Sequence, residues 1–271
     1  MQLGRENRND SPPGANVEIV EARLREGAFS PHRHDTYTIA LTTTGVQSFN
    51  YRGETWRSLP GQVMILHPDE VHDGYCCDDA GFSYRAAYLP PADVQTVIGG
   101  APLPFLSNGV SANPALVRAA LRFVESCATE IEPLGYQDVL QQLVYAMQGA
   151  EDRPAKRRTV NVLAVMRVRD FLDSIPGPGT GLEQLEAIAG YDRWQLSRDF
   201  RSLLGTSPYR YLQCRRIERA RQLLRSGLSL AAAAHEAGFA DQSHFGRTFK
   251  RTLGTTPLAW QQAEHSRTIV L

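Results

Sequence analysis

Between residues 17 and 90 the apolar positions come in short runs set apart by turn residues: 17–19, 36–41, 47–51, 63–66 and 82–88. Short runs bounded in this way predict β-strands, and Arg52-Gly53 and Pro60-Gly61 predict turns between them. Several such strands in succession predict a sandwich or a barrel. Past residue 114 the period changes. Leu116, Ala119, Ala120, Phe123 and Val124, then Val139, Leu140, Leu143, Val144 and Met147, recur at helical spacing, and Pro133-Leu134-Gly135 divides them into two helices. A further helix over residues 160–172 ends before Ile175-Pro176-Gly177-Pro178-Gly179, and the helical period resumes at Leu182. The pattern predicts an α+β, multidomain chain: a β-rich part with appended helices, then an all-α part.

The all-α part states one phrase twice. Ala189-Gly190-Tyr191-Asp192-Arg193-Trp194-Gln195-Leu196-Ser197-Arg198-Asp199-Phe200-Arg201, closed by Leu204-Gly205-Thr206-Ser207-Pro208, returns as Ala237-Gly238-Phe239-Ala240-Asp241-Gln242-Ser243-His244-Phe245-Gly246-Arg247-Thr248-Phe249-Lys250, closed by Leu253-Gly254-Thr255-Thr256-Pro257. After one extra residue in the second turn the offset holds at 49. A repeat that keeps its register is a duplicated structural unit. Each copy reads as a helix-turn-helix: an apolar helix, a glycine (Gly190 or Gly238) where positive φ is inexpensive, then Asp192 or Asp241 to cap the next helix. Thr180 and Glu183 have the spacing of a capping box at the start of the first copy.

The faces of the second helix in each copy follow from its pitch. Leu196, Phe200 and Leu203 share one side of the first, and Phe245 and Phe249 one side of the second. Trp194, Ser197, Arg198 and Arg201 then point outward, as do Ser243, Gly246, Arg247 and Lys250. Arginines at matched positions, with Trp, Gln and Ser near the helix start, suit a major groove, because Arg bridges guanine acceptors bidentately. A solvated bundle face would also be polar; two such faces in register argue for a reader.

Gly238-Phe239, Asp241 through Arg251, Gly254 and Pro257 together resemble the signature of the AraC/XylS family of bacterial transcription factors, over roughly the last hundred residues. The resemblance implies two helix-turn-helix units, joined by a long helix, with recognition helices in successive major grooves. Ser207-Pro208 opens that connector, and its stripe of Leu212, Arg216, Ile217, Ala220, Leu223 and Leu224 runs to Gly227. Carried over by position, the implied DNA contacts are Trp194, Ser197 and Arg198, and Gln242, Ser243 and Arg247; Arg201 joins them from the outward face.

Charge divides the chain the same way. The formal net charge is zero, but residues 1–150 hold 10 Arg and no Lys against 17 acids, while residues 151–271 hold 19 basic against 12 acidic residues. The basic half is the expected DNA-binding half. Cys76, Cys77, Cys127 and Cys214 have no metal-finger spacing, and with no apolar run of membrane-spanning length the chain reads as reduced and cytoplasmic. Four segments are expected: a frayed start (1–15), a sensing and dimerising domain (16–150), a linker (151–159) in which Arg157 and Arg158 reach phosphate, and the DNA-binding domain (160–263).

Pro31-His32-Arg33-His34-Asp35, Pro60-Gly61 and Pro68-Asp69-Glu70-Val71-His72 resemble the cupin jelly roll, in particular the sensing domain that AraC-type regulators carry. In metal-bearing cupins an H-x-H pair and a distant His converge with a glutamate; here Tyr37 and Thr38 stand where that glutamate would be. Five residues of extended chain put His67 on the opposite face from His72. Three readings stay open. His32, His34 and His72, with Tyr37, Trp56 and Tyr88, line a pocket for a small effector; or the three histidines hold a transition metal; or they tie loops at the barrel mouth. The resemblance also implies that the appended helices pair between subunits, although the same stripes serve for packing on their own barrel.

The reading is a transcriptional regulator, not an enzyme and without a cofactor. Its expected partners are promoter DNA, a small-molecule effector, a second copy as homodimer, and RNA polymerase if it activates. The alternative is a cupin-type metal-dependent enzyme or metal sensor fused to a DNA-binding domain, which requires a metal with three or four protein ligands. An effector-independent DNA binder would have an apolar, filled barrel.

Overall fold

Alternation of side chains along short strands builds the N-terminal part. The computed structural model describes residues 3–4, 17–24, 28–76, 80–129, 131–151, 159–174 and 180–268. Among these, a six-stranded sheet runs in the order β1 (Leu3–Gly4), β2 (Glu18–Leu24), β9 (Phe82–Leu89), β4 (Tyr37–Gly45), β7 (Val63–Leu66), β10 (Val110–Ser111). A four-stranded sheet runs β3 (Ala28–His32), β8 (His72–Cys76), β5 (Gln47–Tyr51), β6 (Glu54–Ser58). Residue contacts group the chain into two units, 1–29, 35–159 and 203–205 in one, and 30–34, 160–202 and 206–271 in the other.

Register sorts the barrel residues into two faces. Glu18, Tyr88, Thr38 and Leu66 lie in one row across β2, β9, β4 and β7, and Val20, Ala86, Ala40 and Met64 in the next row of the same face. On the other sheet Tyr51 lies opposite His72, and Phe49 opposite Trp56. Val20, Leu24, Phe49, Tyr51, Met64, Phe82 and Tyr84 make the interior core, with Phe29, Trp56 and Tyr88 packed against it. The alternate residues Tyr37, Ile39, Leu41, Ile65, Ala87 and Leu89 pack instead with α2 (Pro114–Cys127) and α3 (Pro133–Gly149), through Leu116, Phe123, Leu140 and Leu143. The sheet is thus buried on both faces, which the sequence signals by near-continuous apolar runs such as Val63-Met64-Ile65-Leu66.

Several expectations need adjustment. The strands β3, β6 and β8 and the helix α1 (Pro91–Ile98) were not expected. Strand β3 carries Pro31, and a proline fits there because β3 is a sheet edge. Leu3–Gly4, in the segment expected to be frayed, pairs with Glu21 and Ala22. Pro133 is the first residue of α3 and Gly135 lies inside it, so the proline opens a helix at the position where its missing N–H costs nothing. Arg52-Gly53 does form the hairpin turn, with φ of 53° and 81° as a two-residue primed turn requires. The left-handed Arg52 is held by Glu70 at 3.0 Å and by the Phe105 ring, 4.2 Å from its guanidinium carbon.

The second unit is helical: α4 (Val162–Ser174), α5 (Leu182–Ala189), α6 (Arg193–Leu204), α7 (Pro208–Arg225), α8 (Leu230–Glu236), α9 (Gln242–Leu253) and α10 (Pro257–Thr268). Ser207 caps α7, its side chain accepting from Arg210 N, with Pro208 at the first position. Ile217, Leu224, Ala233, Phe239, Phe245, Phe249 and Trp260 close one core around α7 to α10. The capping box does not form. Gly181 is the N-cap of α5, one residue later than the box requires, so Glu183 falls too early to reach back, and no side chain caps the helix. Arg157, Arg158, Cys77 and the break at residues 175–179 lie outside the described residues; Cys76, Cys127 and Cys214 form no disulfide. No helix among the described residues is long and apolar enough to cross a membrane.

Tyr37 and His67 close the outer layer of the barrel. The Tyr37 hydroxyl donates to Pro104 O at 2.7 Å and sits 3.2 Å from His67 Nε2, which is itself 2.8 Å from Pro104 O. Burial lowers the His67 pKa from 6.5 to about 4. The unfolded chain takes up this proton near pH 6.5 and the folded chain only near 4, so His67 holds stability above pH 6.5 that is lost as pH falls through that window. Between pH 7 and pH 5 the wild type should lose roughly 2 kcal/mol more unfolding free energy than His67→Gln. Chemical unfolding at the two pH values checks this, and equal losses would contradict it.

Candidate functional site

Two glycines and two aspartates set where the second helix of each copy begins. Gly190 (φ 80°) caps α5, its N–H donating to Glu186 O at 2.8 Å, and Gly238 (φ 82°) makes the matching turn after α8. Asp192 Oδ1 then accepts from Trp194 N and Gln195 N at 2.9 and 3.0 Å, and Asp241 Oδ1 from His244 N at 2.6 Å. These bonds satisfy amides that α6 and α9 would otherwise leave unpaired, and those to Gln195 and Trp194 hold the Asp192 carboxyl below its ordinary pKa. Arg193 grips Glu186 on the preceding helix, at 3.0 Å from Nε and 3.2 Å from Nη2, which fixes the angle of the turn.

Burial then sets the rotation of each helix. In α6 Leu196 and Phe200 are buried while Trp194 is 72% exposed, Arg198 and Arg201 are exposed and Ser197 is half-buried. In α9 Phe245 and Phe249 are buried while Gln242, Ser243 and Arg247 are exposed. Each group of expected DNA contacts therefore lies on one accessible helix face, beginning in the first turn. Cation-rich faces at helix starts are suited to phosphate and base edges together.

In the barrel the expected effector residues separate. Trp56 and Tyr88 are half-buried and pack against the interior core, and His72 lies opposite Tyr51 in the interior register. Tyr37 does not join them. It alternates with Thr38, so it faces the helices rather than the barrel interior; it is fully buried, its hydroxyl is taken up by Pro104 and His67, and burial pushes its pKa up. Nor is His67 part of the His72 group, since its ring nitrogen is turned to Pro104 O.

The ligand atoms of His32, His34 and His72 lie within 4.8 Å of one another, at the ends of neighbouring strands β3 and β8. His32 Nδ1 is 2.8 Å from Ser30 O and His72 Nδ1 is 3.0 Å from Glu70 O. With each Nδ1–H donated to a carbonyl, Nε2 keeps its lone pair, which is the tautomer a metal ligand or an acceptor for an effector hydroxyl needs. No carboxylate belongs to this cluster among the described residues. Sequence reading missed Glu18 and Thr38, which share the interior row with Tyr88, and Gln47, whose Oε1 is buried without a hydrogen-bond partner among the described residues. The strict alternation of Glu18, Val20, Ala22 and Leu24 was the signal that could have found Glu18.

Comparison with known proteins agrees with this division. The AraC-like ligand binding domain family matches residues 14–149, and the helix-turn-helix domain family matches residues 185–263. The HTH-type transcriptional activator RhaS of Escherichia fergusonii is 27% identical over 270 residues, covering 90% of this chain and 92% of that protein. The uncharacterized HTH-type transcriptional regulator YbfI of Bacillus subtilis is 25% identical over 244 residues, with 86% of each chain covered. The crystal structure of ToxT from Vibrio cholerae O395 shares the fold, with a TM-score of 0.64 at 12% identity over 90% of this chain and 96% of that one. With a ligand-binding barrel ahead of paired helix-turn-helix units, the chain belongs to the AraC family of transcriptional regulators.

Proposed function

We propose that α6 and α9 read bases in adjacent major grooves, and that an effector held in the barrel biases how the DNA-binding units are presented. The observation that carries the first half is the matched exposure of Arg198 and Arg247 on helices rotated alike by buried aromatic residues. The net positive charge of residues 151–271 supplies the sequence-independent part of DNA affinity. Trp194, Ser197 and Arg201 flank Arg198, and Gln242 and Ser243 precede Arg247, as contacts to bases and phosphates. Regulation requires that the effector bind one state of the protein more tightly than the other. The protein works in the cytoplasm as a homodimer, its second copy meeting the exposed side of α3 that carries Leu134 and Tyr145, and it meets RNA polymerase where it activates.

The effector is a small organic molecule with an apolar body and a polar end. Trp56, Phe49 and Met64 offer apolar contact in the middle of the barrel, and His72, Tyr88, Glu18 and Thr38 offer hydrogen bonds toward one end. A ToxT structure of this fold carries an unsaturated fatty acid, a molecule of that general character. The three-histidine cluster favours a second reading, a regulator that senses a divalent metal ion, because imidazole nitrogens suit a transition metal.

Arg198→Ala and Arg247→Ala should each weaken specific DNA binding by roughly 1–3 kcal/mol and relax base preference at positions about one helical turn apart. Gel-shift titration against single base-pair substitutions measures this, and unchanged preference in both variants would defeat the assignment. In a thermal-melt screen, an effector at about a hundred times its dissociation constant should stabilise the protein by roughly 2.7 kcal/mol. That gain should persist with a chelator present and disappear in Trp56→Ala. Stabilisation by metal ions alone, abolished by chelator and by His72→Ala, would establish the second reading instead.

A further inference from the structure

Arg198 is exposed, yet it is not loose. Its Nη2 donates to Gln195 Oε1 at 3.1 Å. On the other side, Gln195 Nε2 donates to both oxygens of Asp199, at 2.9 and 3.0 Å, and the Tyr191 hydroxyl donates to Asp199 Oδ2 at 3.3 Å. Asp199 is 1% exposed, so the chain of bonds is anchored inside the unit. The chemistry of the partners allows the amide one orientation. A carboxylate only accepts and a guanidinium only donates, so the NH₂ must face Asp199 and the carbonyl must face Arg198.

The second copy provides an internal comparison. Arg247 occupies the position of Arg198, but His244 stands for Gln195, Thr248 for Asp199 and Phe239 for Tyr191. There the His244 ring meets Phe239 edge-on at 5.5 Å, and the buried Thr248 hydroxyl has no hydrogen-bond partner among the described residues. The polar chain behind the arginine belongs to the first copy alone.

We propose that Gln195 is a positioning residue that aims the Arg198 guanidinium at the base it reads, making the first helix-turn-helix unit the more discriminating of the two. The inference rests on Arg198 being a base reader. Arg has five N–H donors in a fixed fork; spending one on Gln195 leaves enough for a bidentate contact to guanine O6 and N7. A long side chain ordered before binding loses less rotamer freedom on binding, and the gain applies only when the base in front of it fits the fork. Arg247, without such support, adapts to more than one base and serves affinity more than discrimination.

The test begins with sites selected by the full-length protein from a randomised DNA duplex pool, followed by titration of the selected duplex and its single base-pair substitutions. The position where Arg198→Ala relaxes preference is the one Arg198 reads. Gln195→Met keeps the length and helical propensity of the side chain but removes the amide. It should lower discrimination at that position by about three- to tenfold, the range expected from freeing one rotamer-rich side chain. Salt dependence should not move, the melting temperature should fall because the buried Asp199 carboxylate loses two donated bonds, and Gln195→Met added to Arg198→Ala should change discrimination no further. His244→Met, at the matched place, should leave the second unit's preference as it was. The proposal is overturned if Gln195→Met discriminates like the wild type while Arg198→Ala does not, or if Gln195→Met acts equally with Arg198 absent. If Arg198→Ala relaxes no position at all, the base-reading assignment fails first and takes this inference with it.

Discussion

Burial of Phe200 in α6, and of Phe245 and Phe249 in α9, fixes which side of each helix faces solvent. A helix has one rotational freedom about its axis, and a large apolar ring removes it, because truncating such a ring costs about 3–5 kcal/mol where it is fully buried. With the rotation fixed, Arg198 and Arg247 can only point away from the core. The left-handed glycines and the capping aspartates then set where each helix begins, so the outward face starts in the first turn, with Trp194 in α6 and Gln242 and Ser243 in α9, and reaches Arg198 and Arg247 one turn later. The same constraint operates twice in one chain, and it places two similar faces on one unit.

The two copies are not equivalent, and the difference lies behind the reading face rather than on it. Gln195, Asp199 and Tyr191 form a hydrogen-bonded support in the first, while the second fills the same places with Phe239, His244 and Thr248. Duplicated units begin alike and are free to divide labour, one discriminating bases and the other holding on. In the barrel a comparable division follows from strand alternation. Thr38 turns inward beside Tyr88 while its neighbour Tyr37 turns outward to Pro104 and His67, so adjacent residues serve the barrel interior and the packing layer respectively.

Much of the reading face was legible because helical periodicity is strong and the repeat checks it. Asp192 and Asp241 cap as expected, and Phe200, Phe245 and Phe249 are buried as expected. The barrel was less legible for a physical reason. Its central strands are buried on both faces, so Tyr37 and Thr38 look alike in sequence, and only register shows which side each takes. The short edge strands β3 and β6, and β8 between β3 and β5, carry mixed composition, with Pro31, Arg57 and Asp73 interrupting any apolar run. The capping box at Thr180 failed because spacing alone cannot tell which of two adjacent residues becomes the N-cap. The hydrogen-bonded support of Arg198 was unseen because Gln195 and Asp199 are four apart, a spacing that any helix surface offers many times.

Two helices that read neighbouring major grooves would leave a definite trace in a hydroxyl-radical footprint of the full-length protein on a selected site. Two protected patches should lie on one face of the duplex, their centres about one helical turn apart, for each subunit bound. A single patch per subunit, or protection without sequence preference, would contradict that arrangement.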